Sequence, residues 1–125
     1  MPKQYASVTG MVQYIPEADI LTNAGFQFPV VANTVFCQLT LPAGHWRIDV
    51  TRLAYGTGTP QIANNSHFFV GAVNHTLTTG GILGVLYEYQ YFLTLNGTTA
   101  IGVRSIGDGS ANIGVTAGIT AIRLP

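Results

Sequence analysis

Charged side chains are scarce in this chain of 125 residues: Asp, Glu, Lys and Arg together make up 8% of it, and their formal charges cancel. An ordinary soluble domain has about 25% charged residues. So few ions cannot solvate a whole surface. We therefore expect apolar or neutral polar surface either to be covered by another subunit or to be exposed as Thr, Asn, Gln and Tyr. A subunit interface is the preferred interpretation.

Other absences exclude whole classes of protein. The sequence has no basic run, so it lacks the electrostatic footprint of a nucleic-acid binder. Its longest apolar stretches, such as residues 80–86, fall far short of the roughly 20 residues that span a membrane. The start of the chain lacks the apolar segment of a signal peptide. Because Cys37 is the only cysteine, there is no disulfide framework and no CxxC metal site. We expect synthesis in a reducing cytoplasm.

What the sequence does contain is the pattern of short β-strands. Turn-forming residues recur at short intervals, and the runs between them are rich in Val, Ile, Thr, Tyr and Phe. No window keeps the apolar spacing of an amphipathic helix over three turns. The length is that of one domain. The sequence therefore predicts a single all-β domain built as an antiparallel two-sheet sandwich or barrel.

Alternation along two consecutive runs, 35–41 and 45–55, identifies the candidate core. A corner of Pro42, Ala43 and Gly44 joins the two runs, and each run has one apolar face. On the first run Phe36 points away from the apolar face, and on the second Arg52 is the charged exception on it. The residues predicted to form the core are Val35, Leu39, Trp46, Ile48 and Val50.

The strongest hairpin signal is Asn96-Gly97, which suits a two-residue turn with positive φ at both positions. It predicts a hairpin over residues 86–106. Neither face of the first hairpin strand is plainly polar, so we expect this strand to have neighbours on both sides. Its tyrosines either pack in the core or lie at a subunit interface, where Tyr is enriched.

Mid-strand glycines occur in the last run, from residue 112 to 124, and weaken a sheet unless another backbone comes close or the strand bends. A neighbouring subunit is one source of such a close approach. The candidate oligomer interface consists of Tyr87, Tyr89, Tyr91, Phe92, Gly114 and Gly118.

No catalytic pattern is present in the sequence. The histidines His45, His67 and His75 lack metal-ligand spacing, although copies of one could meet on a threefold axis. No serine lies in a nucleophile elbow, and Cys37 lies among apolar residues. Paired carboxylates would require some of the five acids to meet in space. We therefore predict no catalytic residue, no cofactor, no metal and no enzymatic activity.

Two segments carry a resemblance to a known family. Residues 41–50, with the corner Ala43-Gly44-His45-Trp46, resemble a segment of bacteriophage virion proteins, and residues 118–124 are similar to the closing strand of those proteins. They in turn resemble the jelly-roll domains of the tumour necrosis factor and C1q type. The resemblance implies a TNF/C1q-like jelly-roll β-sandwich over residues 31–125 that forms trimers. Residues 1–30 match no motif, and would add strands or form an arm that contacts a neighbouring subunit or a capsid.

The resemblance implies a structural protein of the virion, made in the cytoplasm of a bacterial host. Because little sequence remains outside the domain to form a shaft, we expect a capsid decoration or cement protein that oligomerises and staples the capsid surface. The alternative is the receptor-binding tip of a head or tail fibre, with loops 55–61 and 74–81 as candidate contacts. A non-phage binding module or lectin is a third interpretation. Expected partners are other copies of the chain, the major capsid protein or another virion protein, and a host surface glycan.

Overall fold

The computed structural model describes residues 3–8, 11–16, 20–28, 33–56, 66–77, 83–106 and 113–125, with the backbone alone for 3–8, 11–16 and 113. All the regular elements in these ranges are strands. In chain order they are β1 (Lys3–Val8), β2 (Met11–Pro16), β3 (Ile20–Gln27), β4 (Val35–Leu41), β5 (Gly44–Gly56), β6 (Ser66–Val70), β7 (Val73–Leu77), β8 (Leu86–Leu95), β9 (Thr99–Ser105) and β10 (Ile113–Arg123).

Eight of the strands form two four-stranded antiparallel sheets. The first sheet has the order β3-β10-β5-β8, and the second has the order β4-β9-β6-β7. From β3 onward, the chain crosses from one of these sheets to the other at every connection except that between β6 and β7. Such exchange between two packed sheets is the arrangement of a jelly roll. The predicted all-β, two-sheet antiparallel sandwich is therefore confirmed.

The N-terminal segment, predicted as an arm over residues 1–30, divides into two parts. The strands β1 and β2 pair with each other as a two-stranded sheet. The strand β3 is instead an edge of the first sheet and pairs with β10 from Ile20 to Gln27. Part of the predicted arm is thus a strand of the sandwich, which is one of the two alternatives that the sequence left open.

The core lies between the two sheets. Alternate residues of β5 point into it, including Trp46, Ile48 and Val50, which are at most 1% exposed. Opposite them pack Phe68, Ile101 and Val103 of the second sheet. Leu39 is half-buried at the margin of this cluster.

The prediction that Val35 lies in the core is wrong. Its side chain is 42% exposed, whereas Phe36, predicted to point outward, is 8% exposed and belongs to the core. The pairing of β4 with β9 shifts between Val35 and Cys37. A bulge of this kind places two consecutive residues opposite one and reverses the alternation on one side of it. The period-two pattern therefore holds only from Cys37 onward.

The predicted hairpin over residues 86–106 is also wrong. β8 pairs with β5 in the first sheet, whereas β9 lies between β4 and β6 in the second. Asn96 and Gly97 connect the two sheets, and neither is among the described residues with positive φ. β8 is moreover an edge strand of its sheet, so the expectation of neighbours on both sides fails for the described residues.

Candidate functional site: the outward face of the first sheet

The first sheet has one face in the core and one face directed outward. We call the second of these the outward face. Because strand side chains alternate, it is built from every second residue of four strands. The described members of this face are Ile20, Thr22, Ala24, Phe26 and Phe28 near or on β3, Gly114, Thr116, Gly118, Thr120 and Ile122 on β10, His45, Arg47, Asp49, Thr51, Leu53 and Tyr55 on β5, and Leu86, Glu88, Gln90, Phe92 and Thr94 on β8.

Large apolar side chains lie exposed along both edges of the outward face. On the β3 edge, Phe26 is 69% and Phe28 is 50% exposed, and on the β8 edge Phe92 is 67% exposed. Ile20 and Leu86 are also exposed at these edges. Scattered apolar residues are normal on a protein surface, but several on one face make this face a candidate binding surface.

The middle of the outward face is polar but nearly neutral. Arg47 and Asp49 form an ion pair at 3.2 Å, and Gln90 donates a hydrogen bond from Nε2 to the other carboxylate oxygen of Asp49 at 3.1 Å. Between β5 and β8 lies an open depression of about 420 Å³, lined in part by Asp49, Glu88 and Gln90. Glu88 is exposed and is the one charged residue of this face without an ion-pair partner among the described residues.

The glycines of β10 are explained by contacts within the chain. A Cβ atom on Gly114 would lie 2.8 Å from ring atoms of both Phe28 and Tyr55, which flank it on the two neighbouring strands. These rings are nearly parallel, with centroids 6.3 Å apart. Aromatic side chains that cover a neighbouring glycine are a known way of stabilising a sheet. At Gly118, a Cβ would meet the Thr51 hydroxyl oxygen at 3.0 Å.

The structure separates the predicted interface residues onto two faces. Phe92, Gly114 and Gly118 belong to the outward face. Tyr87, Tyr89 and Tyr91 point toward the interior from β8 and are half-buried, and they pair with Arg52, Val50 and Ile48 of β5. Burial raises the pKa of both the Tyr89 and the Tyr91 hydroxyl. Their part in an oligomer interface remains a prediction, and it would require contact at the β8 edge rather than on the face.

An aromatic cluster lies where β8 faces β7 across the open side of the sandwich. The Tyr91 ring stacks on the buried Phe68 with centroids 4.5 Å apart. His75 lies 5.8 Å from Tyr91 and 6.1 Å from Phe68, and it is exposed. His75 is thus the member of this cluster that a ligand in solution could reach.

The two segments that carry the resemblance meet at one corner of the sandwich. Arg123 is paired with Trp46 across β10 and β5, and its guanidinium carbon lies 4.7 Å from the centroid of the Trp46 ring. Trp46 Nε1 donates to the carbonyl oxygen of Pro42 at 3.1 Å, and Arg123 donates to that of Ala43 at 3.3 Å. The closing strand thus holds the turn between β4 and β5 in place.

Residues with reactive or metal-binding side chains are dispersed. Within the described ranges, no three His, Cys, Asp or Glu residues lie close enough together to hold a metal ion. Burial raises the pKa of Cys37 to about 11, although a hydrogen bond with the Val103 backbone opposes the shift. A thiol with that pKa is a poor nucleophile at neutral pH. Among the described residues, no helix is long and apolar enough to cross a membrane.

Loops 55–61 and 74–81, the predicted receptor contacts, are described in part only. Residues 57–61 and 78–81 lie outside the described residues. On β7, Asn74 accepts a hydrogen bond from Arg104 Nη2 at 3.1 Å, and the Arg104 guanidinium lies 4.7 Å from the centre of the Phe69 ring. Within the described part of this segment, Asn74 thus lies on the outer side of the second sheet, whereas Leu77 is buried in the core.

Comparisons with known proteins found likenesses among solved structures. No protein-family model matches the chain, and no curated protein matches its sequence. Among solved structures, it is similar to a chain from the acidic stable capsid structure of Helicobacter pylori bacteriophage KHP30, at 15% identity and a TM-score of 0.39, with 99% of each chain covered. A TM-score of 0.39 neither establishes a common fold nor assigns a function.

Sequence reasoning missed the apolar residues on β3. The run from Ile20 to Phe28 places Ile20, Phe26 and Phe28 on one side, together with Thr22 and Ala24. The alternation is visible in the sequence. The sequence does not show that β3 belongs to the outward face, because β3 joins that face through its pairing with the distant β10.

Proposed function

We propose that this protein is a non-enzymatic structural protein of a bacteriophage virion, which forms trimers and decorates the capsid surface. The observation that carries the proposal is the outward face, with exposed Phe26, Phe28 and Phe92 at its two edges and a nearly neutral middle. The resemblance of the Trp46 corner and of the closing strand to phage virion proteins supports the location. The scarcity of charge in the whole chain supports self-association.

The mechanism of decoration is repeated burial of modest contacts. A standard protein interface hides about 1,600 Å² in total. Binding of one multivalent unit to several sites on a lattice turns weak individual contacts into a stable attachment. Such a protein needs an interaction surface for its own copies and another for the capsid, and it needs no catalytic group. Cement of this kind resists expansion of the capsid because detachment requires many contacts to break together.

Self-association is tested by light scattering after gel filtration at micromolar concentration. We expect a trimer for the native chain and monomers for the Phe26→Ser/Phe92→Ser variant. The variant lacks the two exposed rings that contact with a neighbouring copy would bury. Val73→Ser is the matched control, since Val73 is 59% exposed but lies on β7, in the other sheet. A monomeric native protein, or an unchanged trimer in the double variant, would contradict this assignment of the interface.

Decoration is tested by adding the protein to capsids that lack it. Saturable loading, with increased resistance of the capsids to heat or osmotic shock, is the expected result. The alternative, a receptor-binding fibre tip, is favoured by the exposed His75 beside Tyr91, because exposed rings can stack on sugars. Binding to host cells that purified surface polysaccharide blocks, without loading onto capsids, would replace decoration by that alternative.

A further inference from the structure

Arg52 is a buried cation between the two sheets that has no counter-charge among the described residues. Arg52 on β5 is only 2% exposed and points into the core, where alternation would place an apolar residue. Its Nε donates to the hydroxyl of Ser66 at 2.9 Å, and its Nη2 atom is buried with no hydrogen-bond partner in the part of the chain that the structure describes. A buried ion that lacks a charged partner is strongly unfavourable, so its retention requires an explanation.

The other arginines show how this chain normally satisfies a guanidinium. Arg47 pairs with Asp49, Arg104 packs on Phe69 and donates to Asn74, and Arg123 packs on Trp46. All three are partly exposed, although the Nε atoms of Arg47 and Arg104 are buried with no hydrogen-bond partner among the described residues. Arg52 differs from them because it is enclosed, with the hydroxyl of Ser66 as its described hydrogen-bond partner.

The described acids do not neutralise Arg52. Asp49 is engaged with Arg47 and Gln90 on the outward face. Glu88 is exposed on the same face, whereas Arg52 points between the sheets. The remaining acids of the chain, Glu17, Asp19 and Asp108, lie outside the described residues.

The groups around Arg52 are suited to an anion. Ser66 accepts from Nε and therefore keeps its hydroxyl proton to donate. Ser66 is fully buried and pairs with the equally buried Ser105 across β6 and β9. Desolvation lowers the pKa of Arg52, and the nearby hydroxyls of Tyr89 and Tyr87 act in the opposite direction. The cluster thus combines one permanent positive charge with hydroxyl groups, which is the donor set that oxyanions bind.

We propose that Arg52 and Ser66 form an oxyanion-binding site between the sheets, which takes a carboxylate or phosphate group of a small ligand through Arg52 Nη2. Ser66 begins β6 and Arg52 lies near the end of β5, so the site is close to one end of the sandwich. The anion would supply the missing counter-charge and connect the two sheets through one ligand. Occupancy is thereby coupled to the stability of the fold.

The first test reads the site directly by nuclear magnetic resonance. The Nε–H signal of Arg52 is assigned as the arginine signal lost in Arg52→Lys. Acetate and phosphate are then added at constant ionic strength and pH, with chloride as reference. We expect the Arg52 signal to shift saturably at millimolar anion while the other arginine signals stay in place. No shift, or an equal shift of all the arginines, would overturn the proposal.

The second test compares thermal unfolding of the native chain with that of Arg52→Met and of the control Arg47→Met, whose side chain lies on the outward face. We expect phosphate to raise the melting temperature of the native chain and of the control more than that of Arg52→Met. If Arg52→Met does not fold, Ser66→Ala replaces it. We expect Ser66→Ala to need a several-fold higher phosphate concentration than the native chain for half of the stabilisation. Equal gains in all variants would overturn the site.

Three further variants, Glu17→Gln, Asp19→Asn and Asp108→Asn, test whether a carboxylate of the chain itself supplies the counter-charge to Arg52. If one of these substitutions moves the Arg52 signal in anion-free buffer, the partner is an internal carboxylate and the proposal fails. If none does, and added anion still moves the signal, the ligand is external.

Discussion

Truncation of Trp46 to Ala removes the largest side chain of the core at the corner between β4 and β5. The indole is 0% exposed, its Nε1 donates to the Pro42 carbonyl oxygen at 3.1 Å, and Arg123 lies over its ring. Loss of a buried Trp costs about 3–5 kcal/mol through lost transfer free energy and the cavity that remains. The Arg123 contact adds about 0.5–1 kcal/mol at a partly exposed site.

The expected loss is large enough to measure by thermal or urea unfolding. With an entropy of unfolding of about 2.1 cal/mol/K per residue, 3–5 kcal/mol lowers the melting temperature of a domain of this size by roughly 10–20 °C. Protein concentration must be held constant, because association of folded copies raises apparent stability by mass action. Arg123→Met, which keeps an unbranched side chain but removes the charge, should lower the melting temperature by only a small fraction of this amount.

The native chain provides its own spectroscopic control. Since Trp46 is the only tryptophan, its fluorescence reports this corner alone. We expect emission at short wavelength and little quenching by iodide or acrylamide until the protein unfolds. A melting curve of Trp46→Ala close to that of the native chain, together with a quenchable indole, would refute the core placement and make Trp46 a candidate for ligand contact.

Two further predictions concern buried positions of the second sheet. Gly102→Ala should destabilise the fold by about 1–3 kcal/mol or more, because the new Cβ would overlap the Cys37 carbonyl oxygen and lie 2.7 Å from the Phe69 ring. Gly97→Ala, where a Cβ meets nothing within 4 Å, should change chemical unfolding little, and equal effects would contradict this packing. Cys37 should resist thiol reagents at pH 8 until the protein unfolds. Because its folded pKa of about 11 exceeds its ordinary value of 9.0, its stabilising contribution is complete below pH 9 and is lost as pH rises through 11, which urea titrations at several pH values would detect.

The limits of sequence reasoning follow from what each pattern measures. Alternation identifies the inward side of β5 because that strand has no bulge over Trp46 to Ala54. It fails at Val35 because a bulge cannot be read from residue types. Asn96-Gly97 indicates a reversal of the chain but not which strands pair across it. In a jelly roll most reversals join different sheets, so a local turn signal there predicts a corner as readily as a hairpin.

The outward face could not be predicted because its strands are distant in the sequence. The strands β3, β10, β5 and β8 become neighbours only when the sheet forms. Arg52 was recognisable as a charged exception on an apolar face, but only the structure shows that Ser66 is its partner. The alternation identifies such exceptions, and the tertiary contacts give them a meaning.

The arrangement of the few charges would keep the desolvation free energy of self-association small. Arg104 and Arg123 lie over aromatic rings, Arg52 is buried, and Arg47 is paired with Asp49. The four arginines, all of them among the described residues, thus contact other groups within the fold, and the described surface is less charged than the composition alone implies. Binding normally pays for the desolvation of polar groups that end up imperfectly paired. On the outward face the Arg47–Asp49 pair is already formed, so a second copy that covers Phe26 and Phe92 would have one further ion, Glu88, to accommodate.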